Sequence, residues 1–204
     1  MKNFFSFLGK AAFLLPLIFG AFSTPANAWE LKSGDVLLQP LNCWSCSLIE
    51  AQEKSIYSHM GVYVEVDGKA YVLEAWQTVK LTPLKEFLAK TEQGQSVRVK
   101  RFKEKRFDRE SLLAVLPDIL GLSYDSNFLW DNFDERGEKL YCSEMAYKLF
   151  YPFYGEALPI KRMRYDVYRE HWRRFFGGNI PDGKWGNAPA DFDKSDLLKT
   201  LGDL

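Results

Sequence analysis

The stretch 57–76 reads YSHMGVYVEVDGKAYVLEAW. Aliphatic residues at Met60, Val62, Val64 and Val66 alternate with other types, the period-two pattern of a strand with two different faces. Asp67-Gly68 is a strong two-residue hairpin signal, because a type I′ turn needs a left-handed backbone at both central positions. Residues 70–76 then return as the partner strand. A two-residue loop places Val66 opposite Lys69 and, counting back, Gly61 opposite Glu74. Directly paired residues share a face. His59, Gly61 and Tyr63 therefore share a face with Val72, Glu74 and Trp76, and His59 and Glu74 become diagonal neighbours with backbones about 7–8 Å apart across the two strands. Gly61, lacking a side chain, leaves space beside them. A carboxylate next to an imidazole fixes its tautomer and stabilises its charged form. A glutamate inside an apolar strand needs a partner, since burying it alone is costly.

Working outward, Asp35–Gln39 reads as a short buried strand and Ser45–Lys54 as a helix. Val79–Leu81 extends the sheet. Thr82-Pro83 opens a helix running to about Lys90, with Thr82 as N-cap and Pro83 at the first helical position. Val97–Phe102 is another strand and Asp108–Leu120 an amphipathic helix. The segment Tyr141-Cys142-Ser143-Glu144 follows a loop containing Gly137 and opens a helix to about Phe150. The last forty or so residues, rich in Gly, Pro and aromatics, read as a wrapping segment closed by Ala188-Pro189-Ala190-Asp191 and a short helix. Together these give a mixed α/β chain with no repeat, low-complexity tract or linker.

The first 28 residues carry a different message. Lys2 and Lys10 precede an apolar run, Ala11–Phe22, and Ala26-Asn27-Ala28 follows in the small-x-small pattern that signal peptidase cuts after. The run is shorter than the roughly 20 residues needed to span a bilayer. No cysteine stands at the cut site to be lipidated. The expectation is a cleaved signal peptide, 1–28, and a periplasmic or secreted single domain, 29–204, with no stable membrane anchor. That domain, with a formal charge of −2, has no bulk basic character for nucleic acid. The basic stretches Lys100–Arg106 and Lys161–Arg174 read as solvated faces. His171, in a charged helical stretch, reads as a surface or packing residue.

Three cysteines in an exported chain leave at least one without an intrachain partner. Cys43 and Cys46 are close enough to pair, which leaves Cys142. A cysteine at a helix start feels the positive end of the helix dipole, which favours the thiolate, the nucleophilic form. The same helix start offers backbone N–H groups to a developing oxyanion. Cys142 as nucleophile, His59 as base and Glu74 as orienting group complete the logic of acyl transfer.

Gly34-Asp35-Val36-Leu37-Leu38, Tyr57–Tyr63, Val72-Leu73-Glu74-Ala75 and Tyr141–Glu144, in that order, resemble the permuted papain-like amidases, the YiiX/YaeF-type relatives of the NlpC cell-wall peptidases. The resemblance runs from about Lys32 to Phe150. In ordinary papain-like enzymes the cysteine precedes the histidine; in the permuted branch the histidine strand comes first, as here. The resemblance implies an α+β fold, a small, mostly antiparallel sheet packed against helices that include the nucleophile-bearing one. It implies the roles given above for Cys142, His59 and Glu74, and hydrolysis of an amide in a peptide, amino-acyl, cell-wall-related or lipid-linked substrate, with no cofactor. Tyr57, Tyr124 and Asp125 are candidates for lining the cleft. Acyl transfer or deacylation of lipids stays open, since the aromatic-rich segment Phe150–Trp185 could supply an apolar tunnel. So does a non-catalytic binding domain of the same fold.

Cys43-Trp44-Ser45-Cys46 departs from that pattern. A local disulfide bracing the loop, a redox-active thiol pair and metal binding compete for it. A zinc site of Cys43, Cys46, Cys142 and His59 would consume the nucleophile, so no metal is expected.

Overall fold

The computed structural model describes residues 29–204; the segment read as a signal peptide, 1–28, lies outside the described residues. The chain runs β1 (Val36–Gln39), α1 (Trp44–Glu53), β2 (His59–Val66), β3 (Lys69–Trp76), β4 (Thr78–Pro83), α2 (Leu84–Leu88), β5 (Arg98–Phe102) and α3 (Arg109–Ile119). It continues through β6 (Asn132–Asp134), β7 (Gly137–Lys139), α4 (Cys142–Tyr154), β8 (Lys161–Arg162), α5 (Arg169–Phe175), β9 (Trp185–Gly186), α6 (Pro189–Lys194) and β10 (Leu198–Asp203). Six strands form one sheet in the order β10-β5-β1-β2-β3-β4. Every pairing in it is antiparallel.

The β2–β3 hairpin has the expected register, with Val66 opposite Lys69 and Tyr63 opposite Val72. Asp67 (φ 49°) and Gly68 (φ 71°) both adopt the left-handed backbone that a type I′ turn requires. The alternation then sorts the sheet into two faces. Val36, Leu38, Met60, Val62, Val64, Leu73 and Ala75 pack against Met145, Ala146, Leu149 and Phe150 of α4 and Leu112 and Leu116 of α3. Each fully buried side chain of this size contributes about 1.5–3 kcal/mol, so this face anchors α4. On the opposite face, Leu37, Tyr63 and Val72 pack against Phe87 of α2 and Val97. A third cluster, Leu48, Met163, Tyr165 and Trp172, joins α1 to the C-terminal segment.

Three expectations need correcting. Gly61 does not leave open space: a Cβ there would meet a Val72 methyl at 2.3 Å and the Leu73 carbonyl at 2.9 Å, so the glycine permits close packing instead. Thr82 is not a helix cap. It lies in β4, α2 begins after Pro83 with no side-chain cap, and the Thr82 hydroxyl bonds elsewhere, as described below. The closing segment also ends in an unforeseen strand, β10, which pairs with β5 and forms the sheet edge. Its sequence, LKTLGD, has no alternation, because an irregularity between Thr200 and Gly202 breaks the period. The Trp29 indole Nε1 lies 2.7 Å from where a Cβ of Gly202 would stand, so the two ends of the described chain meet at this edge.

Candidate active site

His59 is the first residue of β2, paired with Gln39 of β1. Glu74 is one step beyond the last paired residues of β3, which makes it the diagonal neighbour of His59. The side chains close that diagonal: His59 Nε2 and Glu74 Oε2 lie 2.7 Å apart, both buried. Glu74 Oε1 also accepts the Thr82 hydroxyl at 2.5 Å, and Lys90 Nζ donates to both oxygens at 2.7 and 3.0 Å. Thr82 pairs with Val72 on the neighbouring strand, so it shares the face of Glu74. Burial alone would raise the Glu74 pKa; His59, Lys90 and Thr82 outweigh it and hold the carboxylate at about 2. Trp76 meets the imidazole edge to face at 5.4 Å, and the Phe87 ring lies 5.8 Å away.

Cys142 opens the thirteen-residue helix α4 on the other side of the imidazole, near enough to act on its charge. Burial alone would depress the His59 pKa; the hydrogen bond to Cys142, then that to Glu74, more than offset it and raise it to about 9. An imidazole in this setting is protonated at neutral pH. The backbone N–H groups of Cys142 and Ser143 belong to the first turn of α4, where amides have no intrahelical acceptor. The strand end that carries His59 and the helix end that carries Cys142 thus meet although they pack on different faces of the sheet.

Beside Cys142 opens a small cavity of about 40 Å³. Ile49 and Glu53 of α1, Tyr124, Phe128, Met163 and Trp172 contribute to its walls. Among the three candidates for lining the cleft, only Tyr124 is there. Its hydroxyl pKa is pushed far up by burial and by the neighbouring Cys142. Tyr57 lies in the main core with the Arg98 guanidinium 5.4 Å from its ring centre. Asp125 braces a loop, accepting from the backbone N–H groups of Asn127 and Leu129 and from Asn132 Nδ2 at 2.8–3.0 Å. The side chains of both are committed to packing and loop geometry instead.

Cys43 and Cys46 lie at bonding distance on the first turn of α1, and Cys142 is the free cysteine. Among the described residues, no three His, Cys, Asp or Glu side chains converge in a way that could hold a metal, so the four-residue zinc arrangement is not assembled. His171 lies partly buried on α5, its ring 5.9 Å from that of Tyr168. Sequence reading missed Lys90, which reaches Glu74 from the turn after α2, and the cavity residues Tyr165, Trp172 and Asn187.

The uncharacterized protein YiiX of Escherichia coli (strain K12) is 33% identical over 130 residues, which cover 63% of this chain and 61% of that protein. The chain thus spans less than two thirds of that relative's length. A solved structure described as "Crystal structure of metalloprotein yiiX from Escherichia coli O157:H7, DUF1105" superposes with a TM-score of 0.76 at 26% identity, covering 86% of this chain and 99% of that one. A family model for the "Permuted papain-like amidase enzyme, YaeF/YiiX, C92 family" (Peptidase_C92) matches residues 30–201, and on that match the chain belongs to this family.

Proposed function

We propose that the protein is an exported cysteine hydrolase that cleaves an amide bond through Cys142, His59 and Glu74. The family is one of papain-like amidases. The observation that carries the reading is the buried relay in which His59 stands between Cys142 and a carboxylate held by three partners. In the proposed cycle the Cys142 sulfur attacks the substrate carbonyl carbon. The C–S bond forms, the carbonyl oxygen takes up negative charge, and the first-turn amides of α4 stabilise it. The His59 imidazolium gives its proton to the leaving amine as the C–N bond breaks. Water, deprotonated by the now neutral His59, then attacks the thioester, releasing the acid and the Cys142 sulfur. Glu74 keeps the imidazole oriented and favours its charged form.

A peptide, amino-acyl or cell-wall-related amide is the proposed substrate class. The apolar lining of the cavity favours a second reading, lipid acyl transfer or deacylation. Export, with a mature chain beginning at Trp29 and a Cys43–Cys46 disulfide, belongs to the same proposal. Intact mass of the secreted form under non-reducing conditions tests both.

The deciding experiment for the chemistry is alkylation of Cys142 by iodoacetamide at pH 7, followed by mass spectrometry. Rapid labelling that falls about a hundredfold in His59→Ala is the expected result. Slow labelling that the substitution leaves unchanged would remove the hydrolase reading and leave a binding domain.

A further inference from the structure

A hollow of about 420 Å³, against about 40 Å³ beside Cys142, lies at the other end of β1. Small-molecule sites typically measure about 300–1,000 Å³. His59 pairs with Gln39, the last residue of β1, whereas the hollow is built on Gly34 and Asp35, just before its first. Tyr63, on its wall, stands four residues along β2 from His59, about 13 Å at the rise of a strand. The hollow is therefore separate from the relay at Cys142.

Part of its lining is apolar. The Phe107 ring packs directly on the Gly34 backbone, where a Cβ would meet it at 2.2 Å, and Tyr63 lines the hollow with it. The rest is charged, and unevenly. Asp35 is buried and accepts from Arg101 Nε at 2.6 Å and Nη2 at 2.7 Å, so those two charges cancel. Lys32, Lys105 and Arg109 also line the hollow, and among the described residues none of the three is in an ion pair. Arg109 uses only its Nε, which donates to the Glu65 carbonyl at 3.1 Å. Glu65 is the remaining acid of the lining. Three cations against one acid leave an excess of positive charge, in a domain whose formal charge is −2. Lys105 comes from a stretch that reads as a solvated face, yet the fold brings it to an aromatic-lined hollow.

We infer that this hollow is a second binding site, one for a phosphate monoester with a small apolar body, held by Lys32, Lys105 and Arg109. A phosphate monoester carries a charge of about −1.5 to −2 at pH 7, which answers the excess; a carboxylate leaves one cation over. Arg109 has both Nη groups to offer in a planar fork, and the two lysines add point charges. Glu65 opposes any anion, so the phosphate group alone binds weakly and the body resting on Phe107 and Tyr63 supplies the difference. Soluble phosphate esters and the headgroup of phosphatidic acid both present this chemistry. The site stands whether or not Cys142 is a nucleophile.

The test titrates phenyl phosphate, inorganic phosphate and benzoate into residues 29–204 by calorimetry, at about 50 mM salt so that charges are little screened. Phenyl phosphate is expected to bind about tenfold more tightly than either of the others. Lys32→Gln combined with Lys105→Gln should weaken it about tenfold. Both side chains are exposed, so the melting temperature of the double variant should hold. Cys142→Ser should bind as the parent does. A second arm floats the protein on phosphatidylcholine vesicles containing phosphatidic acid. Flotation that the double variant loses, without binding of phenyl phosphate, keeps the site and makes the lipid headgroup its source. Absence of binding in both arms, benzoate or inorganic phosphate bound as tightly as phenyl phosphate, or binding that the double variant leaves unchanged overturns the inference. So does binding that disappears in Cys142→Ser.

Discussion

Glu74 and Glu144 are both 0% exposed, and both lie close to Cys142 or to its neighbour His59, yet their surroundings drive them opposite ways. Glu74 has His59, Thr82 and Lys90 on its two oxygens and is held at about 2. Glu144, two residues beyond Cys142 on α4, has no side-chain hydrogen bond on either oxygen, and only a weak pull from the Asp131 backbone. Its nearest cation, Lys148, is 4.0 Å away and already engaged by Asp131 and Glu138. Burial pushes its pKa up to about 8, against the pull of Lys148 and with the push of Glu138. Equal burial thus yields one permanent anion and one neutral acid at pH 7. Partners, not burial, decide the charge, and those around Glu74 are closer and more numerous than those around Glu144.

The contrast can be broken most severely at Glu74. Glu74→Leu leaves His59 buried without its partner and should cost about 3–5 kcal/mol in urea denaturation, together with most of the Cys142 reactivity. It should also erase an acid-side loss of stability. The lowered Glu74 pKa gives stability that is full above its ordinary 4.5 and is lost as pH falls toward about 2.

Glu144→Met should act in the other sense. A carboxyl raised from 4.5 to about 8 binds more protons in the folded state across that window, so stability falls as pH rises through it. The apolar variant should flatten that fall and gain about 1 kcal/mol or more at pH 8. The separate fall from 6.5 through about 9 that belongs to His59 should remain. A pH–stability profile unchanged by Glu144→Met would contradict the neutral-acid assignment. The smallest effect is expected from Thr82→Val, about 1 kcal/mol for one hydrogen bond. It should leave the Glu144 side untouched.

The hairpin made half of this legible in advance. Asp67-Gly68 sets the register, the register sets the parity, and the parity alone brings His59 to Glu74. Cys142 was readable because an unpaired thiol at a helix start is chemically conspicuous. Thr82 was misread because Thr-Pro is also a helix-start signal, and local pattern does not reveal that the strand runs on to Pro83. Lys90 and the cavity groups had no local signal. Tyr165, Trp172 and Asn187 lie far from Cys142 in sequence pattern terms and reach it only through tertiary packing of the C-terminal segment against α1.

The contact of Trp29 with Gly202 gives the topology a practical handle. In the proposed mature chain, which would begin at Trp29, a short linker could join the ends and the ring could be opened elsewhere with little loss of packing. Glu104 and Lys105, exposed between β5 and α3, offer such an opening. A chain rewired there would be read from α3 through Cys142 first and reach His59 last. The order of Cys142 and His59 would then be the cysteine-first order of an unpermuted papain-like enzyme, built from these same residues.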